Sequence, residues 1–276
     1  MSKSCSKRSS LNIDAYLLED IENPEHPSDF IPGDGYTVLI LRLPEVRREG
    51  IRLHSHAFVI EGENCFCYNR DHKRLEKIGS FHELNVILDQ KTEKLIKDIQ
   101  HYHYAIEQLE ESLYEENLSD MFMQKWMRYK KDVSLIHRMM FHAALSFELF
   151  LTHHKHKEHA AFEELAYADL YEHMVRIRDL AKAAMEKLDN LYDFYRAKVD
   201  ERMNKNVYYL TIISGIFMPL TLVTGFFGMN TGGLIWTDDP HGTVKVILLS
   251  LFLELLFILP FLYLNMKKIK KFQPKI

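Results

Sequence analysis

Cysteine is scarce in this chain, with only three among 276 residues. Cys65 and Cys67 alternate within a strand-like stretch, and Cys5 lies in a polar tail. A lone C-x-C without a second pair of ligands is a poor zinc site. We therefore expect all three to be ordinary reduced thiols and the surrounding domain to be cytosolic.

Several functional signatures are also missing from the sequence. No Walker A pattern occurs, which argues against ATP as a driver, and no nucleophile–base pair or paired carboxylates support an enzyme. A formal net charge of −4 leaves no electrostatic footprint for nucleic acid. Residues 1–10 are polar and basic without an apolar core, so we expect no signal peptide there. As a separate expectation, the chain has no resident cofactor.

Two long hydrophobic runs lie near the C-terminal end of the sequence. Residues 207–227 form 21 positions without a charge, and residues 246–264 form 19 positions interrupted only by Glu254. At about 1.5 Å per residue, each run covers roughly 30 Å, the hydrocarbon thickness of a bilayer. We predict two transmembrane helices joined by residues 228–245, with membrane lipid around them.

The basic residues of the two flanks predict the orientation of these spans. The intervening loop carries Asp238 and Asp239 but only Lys245 as a cation. Basic side chains flank the spans on the other side: Arg196, Lys198, Arg202, Lys205, Lys267, Lys268, Lys270 and Lys271. By the positive-inside rule both termini lie in the cytoplasm, and we expect a bacterial inner membrane.

A short motif stands at the outer end of the first span. The tripeptide Gly228-Met229-Asn230 follows Phe227, and Met218-Pro219-Leu220-Thr221 begins ten residues before it. This stretch closely resembles the signature of the CorA family of divalent-cation transporters. The resemblance implies a CorA-like funnel, a homopentamer, and a selectivity filter formed by Gly228, Met229 and Asn230.

Two departures from the family pattern concern the residues beside this motif. Phe227 stands where the family most often has Tyr. The stretch 231–234, Thr-Gly-Gly-Leu, looks more like the zinc-transporting ZntB branch than the magnesium branch. The identity of the transported ion is therefore open at this point.

The succession of strand-like, helical and apolar stretches along the chain predicts an α+β cytoplasmic domain followed by a long stalk helix and two transmembrane helices. Short β-rich runs cover 37–43, 51–54 and 56–60, and helical periodicity begins at Lys91. A further helix is expected from Met121 to about Thr152. The predicted divisions are an irregular segment 1–35, an α/β domain 36–157, a stalk helix 158–206, a first span 207–227, the motif and loop 228–245, a second span 246–264 and a basic tail 265–276.

An apolar stripe follows the predicted stalk with steps of three and four residues. Its members are Ile177, Leu180, Ala184, Leu188, Leu191, Tyr195 and Val199. This spacing approximates an eleven-residue period and keeps the stripe on one face of a nearly straight helix. We expect self-association to bury the stripe, which makes the chain an oligomer.

Two spans cannot enclose a pore, so a channel would lie on the symmetry axis between subunits. Helical spacing back from Asn230 predicts the pore-lining residues Gly225 or Phe226, Thr221 or Leu222, Met218, Ser214 and Leu210, with Asn204 at the cytoplasmic mouth. Neutral amide oxygens can hold a hydrated Mg²⁺ without stripping its waters, and apolar rings can gate by dewetting. Helix–helix packing is the alternative role of each residue.

Five acidic residues are further candidates for function. Asp238 and Asp239 in the outer loop would raise the local cation concentration, unless they are merely solvated. Glu254 would titrate in a proton-coupled cycle, be permanently protonated, or be held by a hydroxyl of the neighbouring span, that of Thr221, Thr224 or Ser214. The family resemblance implies that Asp169 and Asp193 bind regulatory metal at a subunit interface; a solvated helix face is the alternative.

Three functional hypotheses follow from the sequence. The first is influx of Mg²⁺, with Co²⁺ and Ni²⁺ as mimics, driven by the membrane potential. The second is a Zn²⁺ transporter of the ZntB type, with or without proton coupling. The third is a non-conducting membrane-anchored scaffold or sensor. A histidine cluster at a helix break (His153, His154, His156 and His159) is a weaker candidate for a metal site.

Overall fold

The computed structural model describes residues 13–114, 121–155, 162–229, 231–236 and 238–271. The chain divides into two compact units, residues 1–194 and residues 195–276. In chain order the elements are α1 Ala15–Glu22, β1 Asp29–Pro32, β2 Thr37–Arg47, β3 Gly50–Glu61, β4 Asn64–Asn69, β5 Arg74–Gly79, α2 Phe81–Tyr114, α3 Met121–Lys155, α4 Glu164–Phe227 and α5 Gly242–Lys271.

The strands form one antiparallel sheet in the order β1-β2-β3-β4-β5, so each strand pairs with its neighbour in sequence. Val38 pairs with Val59 and Leu39 with Phe58. Because successive side chains point to opposite faces, buried residues at consecutive positions of β2 mean that both faces of the sheet are covered. Ile21 of α1 packs with Val38 on one face. On the other face, Thr37 Oγ1 lies 3.3 Å from His154 Nε2 of α3.

The N-terminal segment differs from its prediction. Residues 1–35 were expected to be irregular, yet α1 and β1 lie within them. Asp14 caps α1 by accepting a hydrogen bond from the Tyr16 backbone amide at 3.0 Å. At the other end, the Arg70 guanidinium donates to the carbonyl oxygens of Glu22 at 2.5 Å and Asn23 at 3.2 Å. These long-range contacts hold a helix too short to be stable alone.

Strands β2 and β3, which form an antiparallel hairpin, are longer than the sequence indicates. Pro44 was predicted to end a strand, but it lies inside β2 opposite Leu53. Ser55 was predicted to separate two runs, but it lies inside β3, and its hydroxyl donates to the His26 carbonyl at 2.8 Å. A single strand therefore replaces two predicted ones, and it carries His54 and His56 on the same face.

Helix α2 begins ten residues before the predicted start at Lys91, because a capping box opens it at Phe81. The Glu83 carboxylate accepts hydrogen bonds from the backbone amide and hydroxyl of Ser80, both at 2.6 Å, and these hold the pKa of Glu83 to about 2. Helix α3 begins at Met121 as predicted and ends at Lys155.

From Ile177 to Leu191 the apolar stripe of α4 is buried by the chain itself, which corrects for this part the expectation that self-association would bury it; Val199, at its end, is 38% exposed. Ile177, Ala184 and Leu188 have no exposed surface in the single subunit. The Trp126 indole of α3 donates to the Leu188 carbonyl at 2.7 Å, and His103 of α2 lies 3.0 Å from the Leu180 carbonyl. Burial of a large apolar side chain such as Ile177 or Leu188 stabilises the fold by about 1.5–3 kcal/mol, and this part of the stripe therefore carries no argument for an oligomer.

Candidate functional site

The candidate site lies in the second unit, where α4 becomes apolar. Among the described residues, one helix has the length and composition to cross a membrane: Glu164–Phe227, with a window of mean hydropathy 1.9. Only 11% of that window is buried within the chain, unlike the core helix of a water-soluble domain. The apolar surface of this part of α4 is therefore available to lipid or to other subunits.

Two faces of this apolar part differ in burial. Half-buried or buried side chains follow one face: Ile212, Ile216, Pro219, Leu220, Val223 and Phe227. The residues predicted to line a pore are all exposed: Leu210, Ser214, Met218, Thr221 and Gly225. At 3.6 residues per turn, the second set lies roughly half a turn from the first. Met218 is 70% exposed and Leu210 is 63% exposed, so neither packs inside the subunit.

The threonine hydroxyls of this segment are oriented by their own helix. Thr221 Oγ1 donates to the Phe217 carbonyl at 2.7 Å, and Thr224 Oγ1 donates to the Leu220 carbonyl at 2.9 Å. With its hydrogen used in this way, each hydroxyl presents only oxygen lone pairs outward. Thr221 is therefore suited to face a cation or the hydrogen atoms of its hydration shell.

The end of α4 requires glycine. The Gly228 amide donates to the Thr224 carbonyl at 2.9 Å, and a Cβ at Gly228 would lie 2.8 Å from that same oxygen. The Met229 amide then donates to the Phe226 carbonyl at 3.4 Å, which closes the last turn. The predicted filter thus begins directly at the helix end. Asn230, its third member, lies outside the described residues.

The loop after the motif is anchored on the helix ends. The rings of Phe227 and Trp236 stack with centroids 6.3 Å apart and planes within 3° of each other. Asp239 forms an ion pair with Lys245 and accepts a hydrogen bond from the His241 amide at 2.9 Å, and both interactions lower the pKa of Asp239. Its charge is therefore partly neutralised, whereas Asp238 is exposed. Of the two predicted acids, Asp238 is the better one for attracting cations.

Glu254 lies on the more buried face of α5. That face also contains Val246, Leu249, Ser250 and Leu253. The hydroxyls of Thr221 and Thr224, considered as partners for Glu254, donate instead to carbonyls of their own helix. A protonated Glu254 could still donate to their free lone pairs. Its role therefore stays a prediction.

The structure places the two predicted regulatory acids far apart. Asp169 Oδ2 lies 3.7 Å from His173 Nε2, and the other ring nitrogen of His173 lies 3.4 Å from Asp89 of α2. The imidazole stands between two carboxylates, which is an ion-pair arrangement rather than three ligands around one ion. Asp193 is exposed, 24 residues further along the same helix, or about 36 Å. The sequence reasoning missed His173 and Asp89, although Asp169 and His173 have the i,i+4 spacing of helix neighbours.

The histidine and cysteine candidates are explained by packing. His154 is buried against Phe81 and Phe150, with ring centroids 5.2 and 4.6 Å away. Burial raises the pKa of the Cys65 thiol to about 12, as expected of an inert thiol. Within the described part of the chain, no group of three or more His, Cys, Asp or Glu is arranged to hold a metal ion. His156, His159 and Cys5 lie outside the described residues.

Comparison with known proteins identifies related sequences and folds. A family model described as CorA-like Mg²⁺ transporter protein matches residues 7–268. The divalent cation transporter CmaX of Pseudomonas aeruginosa is 42% identical over 57 residues, which is 21% of this chain and 17% of that protein. The zinc transport protein ZntB of Pectobacterium carotovorum is 34% identical over 76 residues, 25% of this chain and 23% of that protein. The chain thus spans about a fifth of the length of these curated relatives.

The fold also has a solved counterpart. The CorA magnesium transporter from Methanocaldococcus jannaschii superposes with a TM-score of 0.73 at 17% sequence identity. The match covers 90% of this chain and 83% of that one. At this identity the likeness concerns the fold: an α+β domain with an antiparallel sheet, followed by a long helix.

Proposed function

The chain belongs to the family of CorA-like Mg²⁺ transporter proteins, and on that premise we propose that it conducts Mg²⁺, with Co²⁺ and Ni²⁺ as mimics, through a pore on the axis of a homopentamer. The family consists of divalent-cation channels and not enzymes. The proposal adds the ion, the direction of flux, the subunit number and the residues that line the pore.

One observation carries the pore proposal. The exposed face of α4 contains Leu210, Met218 and Thr221, and it lies opposite the face that packs within the subunit. Val223 and Phe227 of the packed face line an apolar cavity of about 350 Å³ together with Trp236 of the loop and Leu249 of α5. A helix packed on one side by α5 leaves its other side for the symmetry axis.

The proposed pathway alternates polar and apolar rings. Asn230 would hold a hydrated ion at the outer mouth through neutral oxygens, weakly enough for release. Thr221 would accept hydrogen bonds from the water of the passing ion. Met218 and Leu210 would form constrictions that close by dewetting. The membrane potential drives entry with roughly 4.6 kcal/mol per divalent ion at 100 mV.

The membrane arrangement follows from the same proposal. Helix α5, Gly242–Lys271, would be the second span, returning the chain to the side on which α4 began. By the positive-inside rule, the flanking basic residues would put both termini in the cytoplasm, and we propose a bacterial inner membrane. Exposed apolar side chains such as Leu248 and Phe252 would contact lipid or a neighbouring subunit.

Regulation by bound metal is the least direct part of the proposal. Asp169 is exposed, as a carboxylate at a subunit interface must be before metal binds. A divalent ion that bridges it to another subunit would favour the closed state when the ion is abundant. In this chain the ion would compete with the His173 imidazole for Asp169. Asp193 would bind a divalent ion at a second site on the subunit interface.

A Zn²⁺ transporter of the ZntB type is the second candidate. Glu254 on the partly buried face of α5 favours it, because a carboxylate in a span is a natural proton carrier. The local similarity to a zinc transport protein agrees with this alternative.

Ion uptake into proteoliposomes tests the proposal. The purified chain is reconstituted around a Mg²⁺- or Zn²⁺-sensitive dye under an inside-negative potential, with and without a pH gradient. We expect Mg²⁺ entry that follows the potential alone and disappears in Asn230→Ala. Gly215→Ala serves as the matched control, since nothing lies within 4 Å of a Cβ at that position.

Each other outcome selects an alternative. Zn²⁺ entry that requires the pH gradient, and that Glu254→Gln abolishes, would replace Mg²⁺ influx by proton-coupled zinc transport. No flux of either ion, with intact oligomers in the membrane, would contradict transport and leave a scaffold or sensor.

A further inference from the structure

A cavity outside the ion pathway lies between the sheet and helix α2 in the first unit. Its volume is about 290 Å³, close to the lower limit of small-molecule pockets. Strands β2 and β3 form one wall, and α2 forms the other. The lining residues are Leu43, Pro44, Glu45, His54, His56, Lys91, Thr92, Lys94, Leu95 and Asp98.

Lys91 supplies an uncompensated positive charge at one end of the cavity. Its side chain is half-buried, and no hydrogen bond or ion pair engages it within the described residues. Glu45, by contrast, is already neutralised: its carboxylate lies 2.9 Å from Arg47, 3.4 Å from Lys94 and 3.2 Å from His54. A half-buried ammonium without a partner attracts an anion more strongly than a solvated lysine does.

His56 lies on the sheet wall of the cavity, and Lys91 lies on the helix wall close enough to affect its charge. Its ring centroid is 6.4 Å from that of His54, and it stacks on Phe58 at 6.5 Å. Within the described part of the chain, no protein group forms a hydrogen bond with the His56 ring. Burial, followed by the charge of Lys91, lowers the pKa of His56 to about 3, so the imidazole is neutral and has one N–H to donate.

The rest of the cavity defines the shape of a ligand. Leu43, Pro44 and Leu95 supply the apolar part of the lining. Asp98 follows Lys91 by seven residues on α2, which separates the two charges by about 10 Å along the helix. Because Lys94 pairs with Glu45, the charges left in the lining are Lys91 and Asp98, and an anion is favoured at Lys91, away from Asp98.

We propose that this cavity binds a small organic anion, with a carboxylate or phosphate on Lys91 and His56 and a short apolar body against Leu43 and Leu95. Lys91 donates a charge-assisted hydrogen bond, and His56 donates its single N–H to the same group. The proposal does not rest on ion transport, because the cavity and the candidate pore belong to different units of the chain.

Binding to the purified full chain in detergent tests the proposal. The probes are benzoate and phenyl phosphate. Benzamide is the uncharged analogue, and inorganic phosphate is the anion that lacks an apolar ring. All are used at matched ionic strength. We expect benzoate or phenyl phosphate to raise the melting temperature by about 2–4 °C at roughly ten times its Kd. Titration calorimetry then shows which of the two acidic groups the site prefers.

The matched variants are Lys91→Gln and Lys97→Gln. Both remove one positive charge from α2, but Lys97 is exposed and does not line the cavity. Lys91→Gln should weaken binding about tenfold or more, and Lys97→Gln should not. Equal binding by both variants, equal stabilisation by benzamide, or no binding of either organic anion would overturn the proposal. None of these results depends on whether the chain moves ions.

Discussion

The indole Nε1 of Trp126 donates a hydrogen bond to the backbone carbonyl of Leu188 at 2.7 Å, and this contact ties α3 to α4. The Trp126 ring also stacks on Tyr192, with centroids 4.9 Å apart. Together these contacts cover the side of α4 that carries the apolar stripe. From Ile177 to Leu191 the stripe is therefore part of the subunit core.

Trp126→Phe should destabilise the protein modestly. The change keeps an aromatic ring beside Tyr192 but removes the hydrogen bond to Leu188, at a cost of about 1 kcal/mol. We expect the melting temperature of the full chain to fall by about 2–4 °C. Met127→Ala, at an exposed neighbouring position, is the control. An unchanged melting temperature in Trp126→Phe would show that the hydrogen bond contributes nothing to stability.

Met218→Ser and Leu210→Ser should make the channel leak. If these residues form apolar constrictions, a hydroxyl at either position stabilises water there and raises ion flux at rest by roughly severalfold. The measurement is Mg²⁺ uptake into proteoliposomes at high Mg²⁺ on both sides of the membrane. Ile213→Ser is the control, because Ile213 is also exposed but lies about 100° around the helix from the proposed pore face. Flux that rises equally in Ile213→Ser would refute the assignment of faces.

Gly228→Ala should disturb the end of α4. The added Cβ would lie 2.8 Å from the Thr224 carbonyl, a backbone atom that cannot move without opening the last turn. We expect a loss of about 1–3 kcal/mol of stability together with reduced flux. Gly215→Ala should instead be neutral or stabilising by up to about 1 kcal/mol, since alanine favours a helix. Melting curves and uptake assays on both variants measure the contrast; identical behaviour would contradict a special requirement at Gly228.

Acid should destabilise the first unit through His56. The pKa of His56 is lowered from 6.5 to about 3 in the folded chain, mainly by burial and then by Lys91. Between these values the unfolded chain binds a proton that the folded chain does not, so stability is complete above pH 6.5 and falls as the pH drops towards 3.

His56→Gln should flatten this dependence, because glutamine does not titrate. Melting temperatures recorded between pH about 7 and about 4 measure the slope. His142→Gln, at an exposed position on α3, should retain the wild-type slope. Parallel slopes for wild type and His56→Gln would exclude His56 as the source of acid sensitivity.

Local patterns in the sequence predicted part of this architecture. Met121 as the start of α3 and the uncharged run that ends α4 both follow from periodicity and composition. The start of α2 was missed by ten residues, although Ser80 and Glu83 have the spacing of a capping box. Helix α1 was missed because Arg70, 48 residues away from Glu22, holds its end. No local pattern encodes such a contact.

Some features of the candidate sites could likewise be predicted from local patterns, and others could not. The exposed face of α4 could be predicted because helical spacing alone determines which residues share a face. The partners of Asp169 and the cavity beside Lys91 depend on how α2 packs against α4 and the sheet. The buried stripe on α4 shows the same limit, since spacing indicates a buried face but not what buries it.

The order of strands in the sheet has a consequence for synthesis of the protein. Every strand pairs with the strand next to it in sequence, so the sheet requires only contacts between nearby residues. Such local pairing folds faster than pairing over long loops. Residues 29–79 can therefore form their sheet while the apolar part of α4 is still being translated.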